Sequence, residues 1–187
     1  MKNKESKESK ADRAQLRKNP KPPKPANTSR FWPALGLATL AGMRATSAPT
    51  FLSHYLSGQA RSKGLAKWPL RFLQKPAVAS TLKGLMALEL VADKAPNGGD
   101  RTEPQQLAVR AASGALSAAT LYRARGGRAL SGALVGGLGA VAATFASFWL
   151  RKTISERTHT NTSIVGVGED ALVIASGAAW VRAQESK

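Results

Sequence analysis

The stretch ALSGALVGGLGAVAATFASFWL, residues 129–150, contains 22 consecutive uncharged residues between Arg128 and Arg151. An α-helix of this length extends about 33 Å at about 1.5 Å per residue, which matches a bilayer hydrocarbon core of about 30 Å. The stretch therefore predicts a transmembrane helix, and it decides how the rest of the chain is interpreted.

Four further apolar segments accompany this one, and each is interrupted by ionisable residues. They are residues 31–57 with Arg44 and Pro49, 76–93 with Lys83 and Glu89, 105–122 with Arg110, and 163–181 with Glu169 and Asp170. The turn signal PNGGD at residues 96–100 and the sequence RGGR at 125–128 separate neighbouring segments. The pattern predicts an all-α, polytopic transmembrane helical bundle of four to five membrane segments, with a membrane domain at 31–182 and a short polar C-terminus at 183–187.

The net charge of the chain is also compatible with a nucleic-acid-binding protein. A net charge of +17 and a pI near 11.0 are typical of nucleic-acid binders. Ten of the 28 Lys and Arg residues, however, lie within residues 1–30, and most of the others lie between apolar segments. This distribution argues against nucleic acid as a partner. The absence of cysteine excludes disulfides, thiolate metal sites and cysteine catalysis.

Residues 1–30 are rich in Lys, Ser and Pro and have almost nothing apolar to bury. We expect a disordered basic tail, extended where proline is frequent. The simplest interpretation is a solvated tail. The alternative is a tail that contacts anionic lipid headgroups, at about 1 kcal/mol for each basic residue near the surface.

The distribution of Lys and Arg between the segments predicts their orientation. Five plain spans would place 15 of these cations on the side of the N-terminus and ten on the other side. If residues 31–57 enter and return on the same side, the numbers become 20 and five, which fits the positive-inside rule better. Pro49, preceded by the hydroxyls of Thr46 and Ser47, provides a means of turning. We predict a first segment broken or re-entrant at Pro49 and a cytoplasmic N-terminus.

Ionisable residues inside these segments are candidate functional residues, because each costs roughly 2.5–3.5 kcal/mol at the centre of a bilayer. They are Arg44, Glu89, Arg110, Glu169 and Asp170, together with Asp93, which follows Glu89 by four residues on the same helical face. The simplest arrangement pairs Arg44 and Arg110 with Glu89 and Glu169 inside the bundle. Such pairs either lock the helices together or line a polar cavity that binds an ion, a proton or a small polar solute. The four carboxylates could also bind a divalent cation.

Small residues recur every four positions in the fourth segment, at Gly132, Gly136 and Ala140. Such a row lets two helix backbones approach closely inside a membrane. Ala111, Ala115 and Ala119 form a similar row in the third segment. We predict that both rows pack within the chain. The four tryptophans all lie near segment ends, which is typical of the headgroup level; they are Trp32, Trp68, Trp149 and Trp180.

Several short motifs resemble those of a group of bacterial integral membrane proteins known as a domain of unknown function. The motifs are Gly42-Met43-Arg44, Ser47-Ala48-Pro49, Leu52-Ser53-His54, Glu89 with Asp93-Lys94 and Pro96, and Gly168-Glu169-Asp170. The likeness covers about residues 31–182, and the element from Glu89 to Pro96 is its most specific part. The resemblance implies a helical protein of the bacterial inner membrane and brings no activity with it.

The leading functional hypothesis is a small transporter or channel-like protein with a polar intramembrane site. The alternative is a non-catalytic membrane scaffold or assembly partner whose buried charges only lock its helices together. A membrane-embedded enzyme is disfavoured, because His54 beside Ser53 lacks a third group to orient it and no convincing metal-ligand set is present. No cofactor is expected. The expected partners are the lipid bilayer and a small ion or polar solute.

Overall fold

The computed structural model describes residues 28–92, 103–158 and 162–186. In these ranges the chain is all-helical, as predicted. The six α-helices are α1 (Thr28–Met43), α2 (Ser47–Gly58), α3 (Pro76–Ala92), α4 (Pro104–Ala124), α5 (Ala129–Thr158) and α6 (Thr162–Glu185), and two short 3-10 helices, Lys63–Leu65 and Pro69–Gln74, join α2 to α3. Residues 1–27 of the predicted tail, Asp93 and the turn at 96–100 lie outside the described residues.

The first predicted segment is broken, but not at the proline. Helix α1 ends at Met43, and α2 begins at Ser47 after the N-cap residue Thr46. Pro49 is the third residue of α2, in a first turn whose N–H groups have no partner within the helix, so its missing N–H disrupts nothing. The break therefore lies at residues 44–46, just before the predicted position.

The chain reverses direction at this break. Near the start of α1, the carbonyl of Pro33 accepts a hydrogen bond of 2.8 Å from Nε1 of Trp180 on α6. The same indole packs edge-on against Tyr55, near the end of α2, with ring centroids 5.7 Å apart. Asp170, ten residues earlier on α6, contacts Arg44 at the break. Ten helical residues span about 15 Å. Helices α1 and α2 thus form a hairpin along α6, with its tip at the break.

Helices α4 and α5 cross with their backbones nearly in contact. A Cβ atom added to Gly132 would lie 2.6 Å from the carbonyl oxygen of Ala118, and one added to Gly136 would overlap the carbonyl oxygen of Gly114. Ala140, the third member of the row on α5, is fully buried. The row therefore lies at the crossing of the two helices.

The partner row on α4 differs from the predicted row of three alanines. Gly114 and Ala118 make the closest contacts with α5, whereas Ala115 lies beside Gly137, 3.5 Å from the position of an added Cβ. The face of α4 that meets α5 is therefore rotated by about one residue from the predicted face. Small residues occur on several faces of α4, so their spacing alone does not identify the face in contact.

Hydrogen bonds link the loop after α2, the end of α4 and the end of α6 at one end of the bundle. Ser62 donates to the carbonyl of Ala124 at 2.7 Å, and Arg125 donates to the side-chain oxygen of Gln184 at 2.8 Å. We call this the basic end, because ten described cations lie there: Arg30, Arg61, Lys63, Lys67, Arg71, Lys75, Arg123, Arg125, Arg128 and Arg182. The opposite, distal end has three among the described residues: Arg151, Lys152 and Arg157.

Among the described helices, α5 is the one long and apolar enough to cross a membrane by length and composition alone. Residues 129–154 reach a mean hydropathy of 1.7, and only 17% of the most apolar window is buried. A core helix of a soluble protein would be mostly buried. This helix supports membrane association, and the polytopic arrangement stays a prediction.

The tryptophans do not all occupy the position expected of an interfacial belt. Trp32 is exposed near the start of α1, and Trp149 is exposed nine residues before the end of α5. Trp180 is buried against the hairpin, and Nε1 of Trp68 donates to the hydroxyl of Thr120 at 3.1 Å. Two of the four indoles therefore hold the basic end of the bundle together.

Candidate functional site

The N-terminus of α2 is bound by a carboxylate from another helix. Glu89 on α3 accepts hydrogen bonds from the backbone N–H groups of Ala45 and Thr46, at 3.2 and 3.1 Å, and from the hydroxyl of Thr46. The first N–H groups of a helix have no partner within it and carry the positive end of its dipole. Glu89 therefore serves as the anion at this helix start. The predicted pairing of Glu89 with an arginine is wrong, since it forms no ion pair with any described residue.

The C-terminus of α1 is bound by hydrogen-bond donors, one of which is a cation. The carbonyl of Gly42 accepts hydrogen bonds from Nη1 of Arg110 at 2.9 Å and from the hydroxyl of Thr144 at 3.1 Å. A cation at this position interacts favourably with the negative end of the helix dipole. Ser47 donates to the carbonyl of Leu40 at 2.6 Å, and Ser113 donates to the carbonyl of Ala45. Backbone groups freed by the break are thus bonded to α2, α4 and α5.

A buried ion pair joins the tip of the hairpin to α6. Nε of Arg44 donates to Oδ1 of Asp170 at 3.0 Å, and Nη2 donates to the same oxygen. Arg44 is 2% exposed and Asp170 is 7% exposed. The sequence predicted Glu169 as an arginine partner inside the bundle, but Glu169 pairs with Arg151 toward the distal end. Consecutive residues project about 100° apart around a helix, so Asp170 faces the hairpin while Glu169 faces α5.

These contacts define the break site, which consists of Arg44, Thr46, Glu89, Arg110, Thr144 and Asp170. Arg110 precedes the end of α4 at the basic end by 14 residues, or about 21 Å of helix. Two carboxylates, two guanidinium groups and two hydroxyls therefore lie around the break, with Arg44, Arg110, Thr144 and Asp170 buried and Thr46 and Glu89 half-buried. The arrangement fixes the ends of α1 and α2 to α3, α4, α5 and α6 through charged and polar groups.

The divalent-cation hypothesis requires several carboxylates at one point. Within the described ranges, no group of three or more His, Cys, Asp or Glu residues is placed to hold a metal ion. Glu89 and Asp170 instead contact different parts of the break, and Glu169 points away from them. Asp93, the fourth predicted ligand, lies outside the described residues.

The side chains of Ser53 and His54 lie on different faces of α2. Ser53 is buried and donates to the carbonyl of Leu73 at 2.8 Å. His54 is exposed and lines a cavity of about 490 Å³ between α2, α3 and α6. The pair does not form a nucleophile and base, which agrees with the sequence interpretation.

Sequence reasoning missed three hydroxyls that complete the break site and its surroundings. Thr144 lies within the uncharged stretch at 129–150, Ser113 lies on α4, and Thr50 donates to the carbonyl of Leu82 at 3.1 Å. A hydroxyl in an otherwise apolar helix is the only signal that the sequence offered. It does not reveal which backbone carbonyl a distant break leaves free.

A comparison with protein-family models matches residues 32–183 to the family described as Domain of unknown function (DUF4126). No curated protein and no solved structure matches the chain. The motifs that carry the resemblance meet in the structure, because Arg44, Glu89 and Asp170 belong to three of them and all lie at the break site. The matched region includes nearly all of the helical bundle. The chain therefore belongs to the DUF4126 family.

Proposed function

We propose that the protein is a multi-pass membrane protein in which α3, α4, α5 and α6 cross the bilayer. The hairpin of α1 and α2 enters from the basic end and returns to it. Large apolar side chains exposed on every crossing helix support this arrangement, because a soluble protein rarely exposes so many. Beyond those of α5, they include Leu88, Val91, Val109, Leu116, Leu172 and Ile174.

The exposed face of α5 provides the strongest case for contact with lipid. Leu130, Leu134 and Leu138 recur every four residues, and Phe145 and Trp149 continue the stripe. Side chains at this spacing lie on one face of a helix. In water this face would be a large apolar patch, whereas in a bilayer it contacts acyl chains.

The positive-inside rule gives the orientation. Ten described cations at the basic end against three at the distal end support an orientation with the basic end, and with it the N-terminal tail, in the cytoplasm. The membrane would be the inner membrane of a bacterium. We expect a reporter inserted after Lys67 to give a cytoplasmic signal and one inserted after Arg157 to give a signal from the opposite side. A signal from the same side at both positions would contradict four crossings, and an external signal at Lys67 would contradict the hairpin.

We further propose that the break site makes the protein a small transporter or channel-like protein. The observation that carries this proposal is the Glu89 carboxylate bound to the N–H groups of Ala45 and Thr46. Secondary transporters place the ends of broken helices around a substrate or ion near the middle of the membrane. Protonation of Glu89, or an anionic solute in its place, would free the N-terminus of α2 and change how the hairpin packs. The ligand class is therefore a proton, a small ion or a small polar solute.

The scaffold alternative is favoured by a different observation. The N–H groups of Ala45 and Thr46 and the carbonyl of Gly42 already have partners within the chain. A site whose backbone groups are already bonded within the chain could serve only to hold the helices together. The two functions predict different behaviour when Glu89 is neutralised.

For a transporter, we expect Glu89→Gln to abolish stabilisation by the ligand while the variant still folds. The amide keeps the shape of the side chain but loses its charge and its proton exchange. Thermal unfolding of purified protein with a panel of ions and small polar solutes would measure the effect. Glu103→Gln is the matched control, because Glu103 is exposed at the N-cap of α4. No stabilising compound for the wild type, together with a large loss of stability in Glu89→Gln alone, would favour the scaffold.

A further inference from the structure

A groove separate from the break site lies between α2, α3 and α6. It encloses about 490 Å³, and its walls are mostly apolar, with Phe51, Met86, Leu90, Ile174 and Val181 among the lining residues. From Ile174 to Arg182 the wall formed by α6 extends about 12 Å. The groove is therefore large enough for a substantial part of an alkyl chain.

The charged groups of the groove are concentrated toward one mouth. Lys83, His54, Arg182 and Glu185 line it. Residues 54 and 182 lie near the ends of α2 and α6, at the basic end, while Thr50 and Leu90 lie closer to the break. Lys83 lies in the first half of α3, which starts at that end, and helical side chains tilt toward the start of their helix. The mouth thus faces the basic end with two permanent cations and one carboxylate.

The two cations of this mouth are available to a ligand. Lys83 and Arg182 are both exposed, and neither side chain forms an ion pair or hydrogen bond with a described residue. Glu185 neutralises only one of the two positive charges. An anion at the mouth would therefore meet a net positive charge directly above an apolar wall.

We propose that this groove binds an anionic glycerophospholipid, with its phosphate between Lys83 and Arg182 and an acyl chain against Phe51, Met86 and Ile174. A free anion would leave the apolar wall unused, and a neutral lipid would gain nothing from the two cations. The proposal rests on the membrane location proposed above and not on transport. In that orientation the mouth opens to the cytoplasmic leaflet, whose anionic lipids attract basic segments near the membrane.

A titration with three ligands separates the contribution of the headgroup charge to binding from that of the acyl chain. Detergent-purified full-length protein would be titrated with dioctanoyl phosphatidylglycerol, dioctanoyl phosphatidylcholine and inorganic phosphate, and thermal unfolding would report binding. We expect phosphatidylglycerol to raise the unfolding temperature saturably, phosphatidylcholine to bind more weakly and phosphate alone to have no effect. Equal effects of the two lipids would overturn the charged site, and an effect of phosphate alone would overturn the role of the apolar wall.

Charge-neutralising variants locate the site. Each of Lys83→Gln and Arg182→Gln should weaken binding of phosphatidylglycerol about fivefold, and the double variant about 25-fold. Lys67→Gln is the control, because Lys67 is exposed at the same end and does not line the groove. Lipid retention in native mass spectrometry provides a second measurement that does not depend on stability. Unchanged binding in the double variant would overturn the proposal.

A failure of the proposed transport function can be distinguished from a failure of the lipid-binding proposal. Glu89 does not line the groove, so a Glu89→Gln variant that folds should still bind phosphatidylglycerol more strongly than phosphatidylcholine, whatever happens to stabilisation by ions or solutes. If the protein instead remained folded and monodisperse without detergent, the membrane location itself would fail. The lipid titration would then still show whether the groove binds an anionic lipid.

Discussion

Replacement of Gly136 by alanine is expected to destabilise the protein strongly, whereas the same replacement at the adjacent Gly137 should not. A methyl group at position 136 would overlap the carbonyl oxygen of Gly114 and lie 2.6 Å from the Cβ of Ala118. Since a backbone carbonyl is the nearest obstacle, α4 and α5 must separate along their crossing. Overpacking of this kind costs about 1–3 kcal/mol, and Gly136→Val should cost more.

Gly137 provides an unusually close control. A Cβ atom there would lie 3.5 Å from the Cβ of Ala115, an ordinary van der Waals contact. Alanine is favoured over glycine within a helix by about 0.5–1 kcal/mol, so Gly137→Ala should be neutral or slightly stabilising. Thermal unfolding of the two variants in one detergent should therefore shift in different directions. Equal destabilisation at both positions would mean that the helices do not cross at Gly136.

The second large effect concerns the ion pair at the tip of the hairpin. Asp170→Asn should reduce the free energy of unfolding by about 3–5 kcal/mol, because it removes the charge of the carboxylate that pairs with the buried guanidinium of Arg44. Glu169→Gln is the matched control on the preceding residue. The side chain of its partner, Arg151, is 23% exposed against 2% for Arg44, so the expected loss is smaller than for Asp170→Asn.

Removal of both charges should recover part of this stability. In Arg44→Met combined with Asp170→Leu, apolar side chains of similar length replace the pair, and neither charge of the pair remains. Recovery will be partial, because Arg44 and Asp170 also make other contacts. A double-mutant cycle on chemical unfolding measures the coupling. If the losses from the two single variants simply added, the ion pair would contribute nothing to stability.

The positions of the helices could be predicted from the sequence. Apolar length located all five segments to within a few residues, except that α5 continues eight residues beyond the predicted end, to Thr158. Its extension, RKTISERT, is polar, so hydropathy alone ends the segment too early. The break in the first segment was also predicted, from Pro49 and the distribution of Lys and Arg, but it lies at residues 44–46 and not at the proline.

The partners of the buried charges could not be predicted. Glu169 and Asp170 are adjacent acids on one helix, and only the rotation of α6 against the hairpin decides which of them meets Arg44. Glu89 was assigned a side-chain partner, since the sequence does not show that the break leaves backbone N–H groups free. The groove was missed for a related reason, because its walls come from three helices distant in the chain.

The contacts of Trp180 and Asp170 bear on the order in which the protein is assembled. Pro33 and Trp180 are separated by 147 positions, and Arg44 and Asp170 by 126. Ribosomes add about 5–20 residues per second, so roughly 7–30 s pass between the synthesis of Pro33 and that of Trp180. The hairpin therefore cannot complete its contacts with α6 until the last helix has been made, and until then Arg44 lacks the carboxylate of Asp170.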